Sequence, residues 1–222
     1  METLYLTGSS GALAQAVRDR YLAEGWNVAG FSRSADGLRH SRFRFFEMDA
    51  TSEPSVERTF GEANVVFGPP RALIATVGGI RPWQTVEQTT IEDFRYLVDL
   101  NLTSLFLASK HAMRLMQEKG TIVSIGAEPA LTPTAKRGAY AASKAGALTL
   151  TRVLAEEGKS KRITANAIVP TVIHTKENEE WGSADEIPKW TEPKDIAALC
   201  FFLTSAEGAA VNGAIIRIPN KL

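Results

Sequence analysis

The sequence predicts an α/β fold, a doubly wound parallel sheet with helices on both faces. Three observations lead there. Apolar runs of strand length alternate with helical stretches along the whole 222-residue chain, a pattern that buries parallel strands between helices. A glycine turn, Gly8-Ser9-Ser10-Gly11-Ala12-Leu13-Ala14, sits between the first strand and the first helix. The length is near that of one large α/β domain, and no linker, internal repeat or low-complexity tract marks a second. Residues 1–222 are therefore read as a single domain.

The elements follow in order. Residues 3–7 form a short apolar strand. After the turn, Ala16, Val17, Tyr21 and Leu22 recur at helical spacing until Gly25, a helix stop. A second strand covers Asn27 to Phe31 and a third Arg42 to Met48. A polar helix near Glu53–Glu62 leads to a fourth strand from Leu73 to Val77, which ends in Gly78-Gly79. A long helix is expected from about Ile91 to Lys119, then a strand from Thr121 to Ile125 and a helix from about Gly138 to Glu157. A sixth strand spans Ile163 to Val169, a helix about Pro193 to Ser205, and a last strand Ala214 to Ile218. This makes seven strands. Crossovers should be right-handed, and a ligand should lie beyond the carboxyl ends of the strands. The segment His174 to Glu192, rich in charge and holding Trp181, Pro188 and Trp190, has no periodicity and reads as a loop over that site.

Composition narrows the function. Formal net charge is +0, and no basic run is interleaved with aromatics, which argues against a nucleic-acid partner. No apolar stretch reaches the roughly 20 residues that span a bilayer. The first strand begins within the first residues, so no secretory leader is expected. The one cysteine, Cys200, lies in an apolar helical run and reads as a core residue. A reducing, cytoplasmic setting is expected. His40, His111 and His174 are scattered without metal-ligand spacing, so no metal is expected.

The glycine turn carries the first functional signal. Gly8 permits a sharp turn. Gly11 lets a pyrophosphate approach the N–H groups at a helix N-terminus, where the dipole favours an anion. Ala14 is small enough for close packing of helix on sheet. The other reading is a tight turn with no ligand. The second strand ends in Ser32-Arg33-Ser34, where an NAD site usually has a carboxylate for the ribose hydroxyls. Arg33 can instead pair with and stack on a 2′-phosphorylated adenosine, with the two serines as hydrogen-bonding partners. The expectation is NADP(H) in preference to NAD(H).

Tyr140 and Lys144 carry the second. They stand four apart in a helical stretch, so both leave one face. A tyrosine is a weak acid, with an unperturbed pKa of about 10. A neighbouring ammonium pulls that value down, making Tyr140 a proton donor and acceptor supported by Lys144. Alone, the pair also fits a surface Tyr and Lys.

With these residues in order along nearly its whole length, the chain resembles the short-chain dehydrogenase/reductase family. The resemblance implies a Rossmann-type sheet and a nicotinamide-dependent oxidoreductase acting on a carbonyl or alcohol. It makes Tyr140 the acid/base and Lys144 its support on the nicotinamide ribose. It gives Asn101 a water and proton relay, and Asp49 a contact to adenine. Pro170-Thr171-Val172-Ile173-His174-Thr175 is similar to the segment that holds the carboxamide. The implied cofactor surface is Gly8, Ser9, Ser10, Gly11, Ala12, Leu13, Ser32, Arg33, Ser34, Asp49, Ala50, Val77, Gly78, Tyr140, Lys144, Pro170, Ile173 and Thr175. Members usually pair through two long helices, here about 91–119 and 138–157. The first is apolar enough (Phe94, Leu97, Val98, Leu102, Leu105, Phe106, Met113, Met116) to suggest a homodimer or homotetramer.

The chain also departs from the family pattern. The serine usual thirteen residues before the tyrosine is Ala127, and Ser124 lies too far back to replace it. Thr132, Thr134 and Glu128 are the remaining candidates. Ala75-Thr76-Val77-Gly78 stands where the family has asparagines, and Pro170-Thr171 where it has Pro-Gly. A short glycine turn with Tyr and Lys but no serine resembles the dihydropteridine reductase branch, whose quinonoid substrate needs little carbonyl polarisation. Loss of the serine also fits a nucleotide-binding sensor or scaffold without catalysis, but the presence of Tyr140, Lys144 and Asn101 together argues for the enzyme. Loops near Gly78–Thr89, Ala127–Arg137 and Ile173–Trp190 should meet the substrate, with Trp83, Trp181 and Trp190 as stacking partners or lids.

Overall fold

The computed structural model describes residues 1–81 and 83–220. Seven strands form one parallel sheet: β1 (Thr3–Thr7), β2 (Asn27–Ser32), β3 (Phe43–Glu47), β4 (Ala72–Ala75), β5 (Thr121–Ile125), β6 (Thr164–Pro170) and β7 (Ile215–Ile218). Their order is β3-β2-β1-β4-β5-β6-β7. The chain winds outward from β1 to β3, then restarts at β4 on the other side of β1. That reversal opens a crevice beyond the carboxyl ends of β1 and β4.

The core follows from strand pleating, which sends successive side chains to opposite faces. Tyr5, Leu73, Ile122 and Ala165 point to one face. There they pack on α2 (Glu53–Phe67), α4 (Ser104–Leu115) and α5 (Gly138–Glu157) through Val56, Phe60, Leu107, Ala112 and Leu154. Leu4, Leu6, Ile74 and Val123 point to the other. Their partners are Val17 and Tyr21 of α1 (Ala12–Ala23) and Ile196, Cys200 and Leu203 of α7 (Pro193–Thr204). Cys200 is a core residue, as expected, and burial pushes its thiol up to about 12.

Helix ends obey their local chemistry. Gly25 closes α1 with φ of +83°, while the N–H groups of Gly25 and Trp26 bond the carbonyls of Leu22 and Tyr21, the two bonds of a Schellman motif. Two expectations need correction. The polar helix at 53–62 continues to Phe67: Gly61 does not break it, and Gly68, with φ of +80°, ends it. The long helix expected to Lys119 stops at Leu115 and is not uniform. Between α3 (Ile91–Val98) and α4 lies a π-helical turn, Asp99–Thr103. Such turns insert a residue and redirect side chains, and here Asn101 becomes buried.

The segment 174–192 is more ordered than a plain loop. A helical turn, α6 (Lys176–Glu179), and a 3₁₀ turn, Ile187–Lys189, lie within it. Its base is pinned where His174 N–H donates to Thr191 O and Thr191 N–H to Val172 O.

Candidate active site

A cavity of about 1100 Å³ opens beyond the carboxyl ends of the strands. That exceeds the 300–1,000 Å³ or so of an ordinary small-molecule site, and so leaves room for a dinucleotide beside a substrate.

One end is walled by the glycine turn. Gly8 has φ of +71°, and a Cβ there would lie 2.7 Å from Thr76 Oγ1, so the turn itself requires glycine. Thr76 is fixed in turn by donating to Thr7 O at 2.7 Å. Gly11 differs. It caps α1 with an ordinary φ of −75°, and a Cβ would meet nothing nearer than Gly8 O at 3.4 Å. Among the described residues nothing excludes a side chain at Gly11, so a glycine there fits a ligand that approaches closely from the cavity. The first turn of α1 has no side-chain cap and no acidic residue, leaving N–H groups and a positive dipole end for an anion. These features fit a pyrophosphate.

Ser10, Gly11, Ala12 and Leu13 line this end together with Ser32, Arg33, Ser34, Asp49 and Ala50. Arg33 and Ser34 are exposed. Asp49 accepts from Thr51 N–H at 2.9 Å and Thr51 Oγ1 at 2.7 Å, which holds its carboxyl below the usual range, with the Arg33 charge assisting. Two of the expected contacts fall elsewhere. Ser9 is buried behind the turn, with its backbone N–H on Phe31 O and its hydroxyl on Ser32 Oγ at 3.3 Å. Ser32 spends its proton on Ser34 O at 2.7 Å, so Ser34, not the pair of serines, keeps a free hydroxyl beside Arg33.

The middle of the cavity holds Val77, Gly78, Tyr140, Lys144, Pro170, Ile173 and Thr175. Tyr140 and Lys144 share a face of α5, as their spacing requires. Lys144 is buried, its Nζ donates to Ile125 O at 2.9 Å, and burial pulls the ammonium down to about 8. Gly78 keeps that space open, since a Cβ there would lie 2.9 Å from both Lys144 Nζ and Asn101 Oδ1. Thr175 caps α6 by accepting from Asn178 N–H at 3.3 Å.

Two expected roles change here. Tyr140 was expected to be pulled down by Lys144. Instead burial pushes its phenol up, and the charge opposing that rise belongs to Arg137. Asn101 was expected to hold a water in the cavity, but it lies behind the wall. Its Oδ1 accepts from Gly79 N–H at 3.0 Å, and its Nδ2 donates to Gly79 O at 3.0 Å and Ser143 Oγ at 3.1 Å. It braces the β4 loop against α5.

The far end is lined by Ile80, Arg81, Trp83, Tyr96, Ala127, Arg137 and Trp181. Ala127 confirms that no hydroxyl stands before Tyr140. None of the suggested substitutes lines the cavity. Glu128 pairs with Arg217 at 2.5 Å and accepts from Thr132 at 3.1 Å, Thr134 is exposed, and Ser124 is buried on Thr151. Trp190 is a core residue that packs against Trp181 in a tilted arrangement with ring centroids 5.1 Å apart, and Trp181 alone of that pair lines the cavity. Arg137 was not singled out from the sequence. Only its position three residues before Tyr140 could have drawn attention to it.

Residues 9–219 match the family model described as enoyl-(acyl carrier protein) reductase. The 3-oxoacyl-[acyl-carrier-protein] reductase MabA of Mycobacterium tuberculosis is 28% identical, over 99% of this chain and 92% of its own. A 3β-hydroxysteroid dehydrogenase of Eggerthella lenta is 27% identical over 100% and 93%. Among solved structures, a blue fluorescent protein from a metagenomic library in complex with NADPH superposes with a TM-score of 0.90 at 26% identity, covering 98% of this chain and 96% of that one. A Serratia marcescens short-chain dehydrogenase/reductase matches in fold, with a TM-score of 0.90 at 21% identity over 98% and 96%. Fold and sequence together define an oxidoreductase of the nicotinamide-dependent class. The chain belongs to the short-chain dehydrogenase/reductase family. No helix among the described residues is long and apolar enough to cross a membrane.

Proposed function

We propose that this protein is an NADP(H)-dependent oxidoreductase that interconverts a small carbonyl compound and its alcohol, with Tyr140 as acid/base. The observation that carries the reading is one continuous cavity lined from the glycine turn to Tyr140. The N–H groups at Ala12 and Leu13 would hold the pyrophosphate, and Arg33 with Ser34 the 2′-phosphate. Asp49 and Ala50 would flank the adenine, while Val77, Gly78, Pro170, Ile173 and Thr175 would face the nicotinamide side. When bound, that ring supplies or accepts the hydride.

The residues of the chain manage the proton. Tyr140 holds it near neutral pH, because burial favours the uncharged phenol, and can deliver it to the substrate oxygen. Lys144, fixed on Ile125 O, places a positive charge beside the reacting region and favours negative charge developing on that oxygen or on the phenolate. Asn101 keeps Gly79 and Ser143 in register on either side.

The substrate is small and non-macromolecular on this reading, and the active form is a homodimer or homotetramer. Ile91, Phe94, Phe106 and Val153 leave apolar surface on α3, α4 and α5, whereas Leu97, Leu105 and Met116 are consumed in the monomer core. The resemblance to the dihydropteridine reductase branch rests on the sequence pattern alone. Ala127 favours one alternative, a nucleotide-binding sensor without turnover.

The test is to titrate NADPH and NADH separately, then follow NADPH consumption with 3-oxoacyl thioesters, steroid ketones, oxo acids and quinonoid pterins. Preferential NADPH binding with turnover of one class supports the reading. Binding without consumption across the panel favours the sensor. Binding of neither nucleotide removes both.

A further inference from the structure

The far wall of the cavity carries a cation for which the described residues supply no counter-ion. Arg137 immediately precedes α5 and is half-buried, and its guanidinium lies 3.5 Å from the centroid of the Trp83 ring. Its Nε is buried and donates to nothing. No carboxylate among the described residues pairs with it. Arg81, on the same wall, shows the contrast: it lies 4.0 Å over Tyr96 and also pairs with Asp93 at 3.6 Å. Arg137 has the aromatic but lacks the acid.

A partly desolvated charge without a partner is costly. Stacking on Trp83 satisfies one face of the guanidinium and leaves its donor edge available. That edge matches a carboxylate, which can take two parallel hydrogen bonds. Burial lowers the Arg137 pKa, which marks the cost of the lone charge, and the same charge reaches the Tyr140 phenol. Arg137 and Tyr140 stand three residues apart at the start of α5 and line the same cavity, which puts the cation at its reacting end. A negative charge present throughout binding offsets the desolvation better than one that appears only in the transition state.

We propose that Arg137 receives a carboxylate of the substrate, so that the substrate is a small oxo acid, or the corresponding hydroxy acid, whose reacting carbon lies within a bond or two of the acid group. This rests on the oxidoreductase reading and specifies its substrate class. The carboxylate is unchanged in the reaction. The ketone carbon gains a hydride, which carries both reducing electrons, from the reduced nicotinamide, its C=O π pair moves onto the oxygen, and that oxygen takes the Tyr140 proton. The acid group held at Arg137 also fixes the orientation that a serine at position 127 would otherwise have helped to set.

Matched 2-oxo and 3-oxo acids and their uncharged amides would be compared as substrates of the full-length protein with NADPH. Binding of the acids would be measured separately by calorimetry with NADP⁺ present and absent. Charge-assisted, bidentate recognition predicts an acid-over-amide preference of at least ~10-fold in kcat/KM. Arg137→Met should erase that ratio, and Arg137→Lys should restore part of it. Equal use of acid and amide by the wild type overturns the proposal. So does an unchanged ratio in Arg137→Met, because Arg137 would then act on the ketone oxygen or the phenol. Acid binding that depends on Arg137 without turnover keeps this inference and removes the oxidoreductase reading. Turnover indifferent to the acid group does the reverse.

Discussion

At the glycine-turn end of the cavity the turn itself offers main chain, with Arg33, Ser34 and Asp49 beside it, whereas the Tyr140 end is built from side chains of five separate segments. At the first, Gly8 fixes the turn and Gly11 bares the start of α1, both within four residues of sequence. At the second, the loop after β4, α3, the loop after β5, the start of α5 and the segment around α6 contribute Arg81 and Trp83, Tyr96, Ala127, Arg137 and Tyr140, and Trp181. A main-chain site tolerates few changes, because its geometry is its chemistry. A side-chain site can be re-equipped one residue at a time, and the exchange of a serine for Ala127 in the presence of Arg137 fits that freedom.

The sharpest separation of the two ends is Tyr140→Phe. Loss of a positioned acid/base should lower turnover by roughly 10²–10⁴ and leave NADPH affinity where it was. Steady-state rates beside a fluorescence titration would show this. A variant with full activity would take Tyr140 out of the mechanism.

Lys144 tests the boundary between the ends. Burial lowers its pKa from 10.5 to about 8. The unfolded chain keeps that proton up to near its ordinary value, so between these limits the unfolded state binds more protons and folding stability rises with pH. At neutral pH the cost of the buried ammonium is present in full, on the order of 3 kcal/mol at most. Lys144→Met should remove this slope. Tyr5, Tyr21 and Cys200, whose pKa values are raised by burial, give opposite slopes at high pH that cancel in the comparison. Urea unfolding at about pH 7 and about pH 10 should show the wild type gaining on the variant. Parallel behaviour would mean that the ammonium is better solvated than its surroundings imply.

Arg33 concerns the cofactor end alone. Arg33→Ala should weaken NADPH binding by about tenfold or somewhat more, the worth of a charge-assisted phosphate contact, and leave NADH binding unchanged. An equal effect on the two nucleotides would remove the 2′-phosphate assignment.

What the sequence disclosed follows the same division. Strand runs, the glycine spacing and the shared face of Tyr140 and Lys144 depend on local periodicity, and the seven strands stand where they were read to within one or two residues at their ends. Ser9 was misplaced because the path of a turn decides which of its residues face outward. Asn101 was misplaced because a π-helical turn rotates it behind Gly79, and no composition marks such a turn. Gly61 looks like a breaker but lies on an open helix face with nothing within 4 Å of a Cβ. Arg137 closes a loop that was expected to meet the substrate, but its role was not legible, because it lies in the lack of a carboxylate among the described residues around it, and that is a tertiary property.

The smallest expected effect discriminates best between fold and function at the main-chain end. Gly11→Ala should change folding stability by less than about 1 kcal/mol, since alanine accepts its backbone angles and a glycine-to-alanine exchange at a helix cap is a modest change. Gly8→Ala should cost more, because φ of +71° and the nearby Thr76 hydroxyl both oppose a Cβ. Both exchanges should weaken NADPH binding, but only Gly11→Ala should do so in a protein that melts like the wild type. Thermal unfolding and nucleotide titration of the two variants would read this directly. A Gly11→Ala protein that binds NADPH normally would show that no pyrophosphate passes close to Gly11 on its way to the Ala12 and Leu13 amides, and the cofactor would have to enter the crevice by another route.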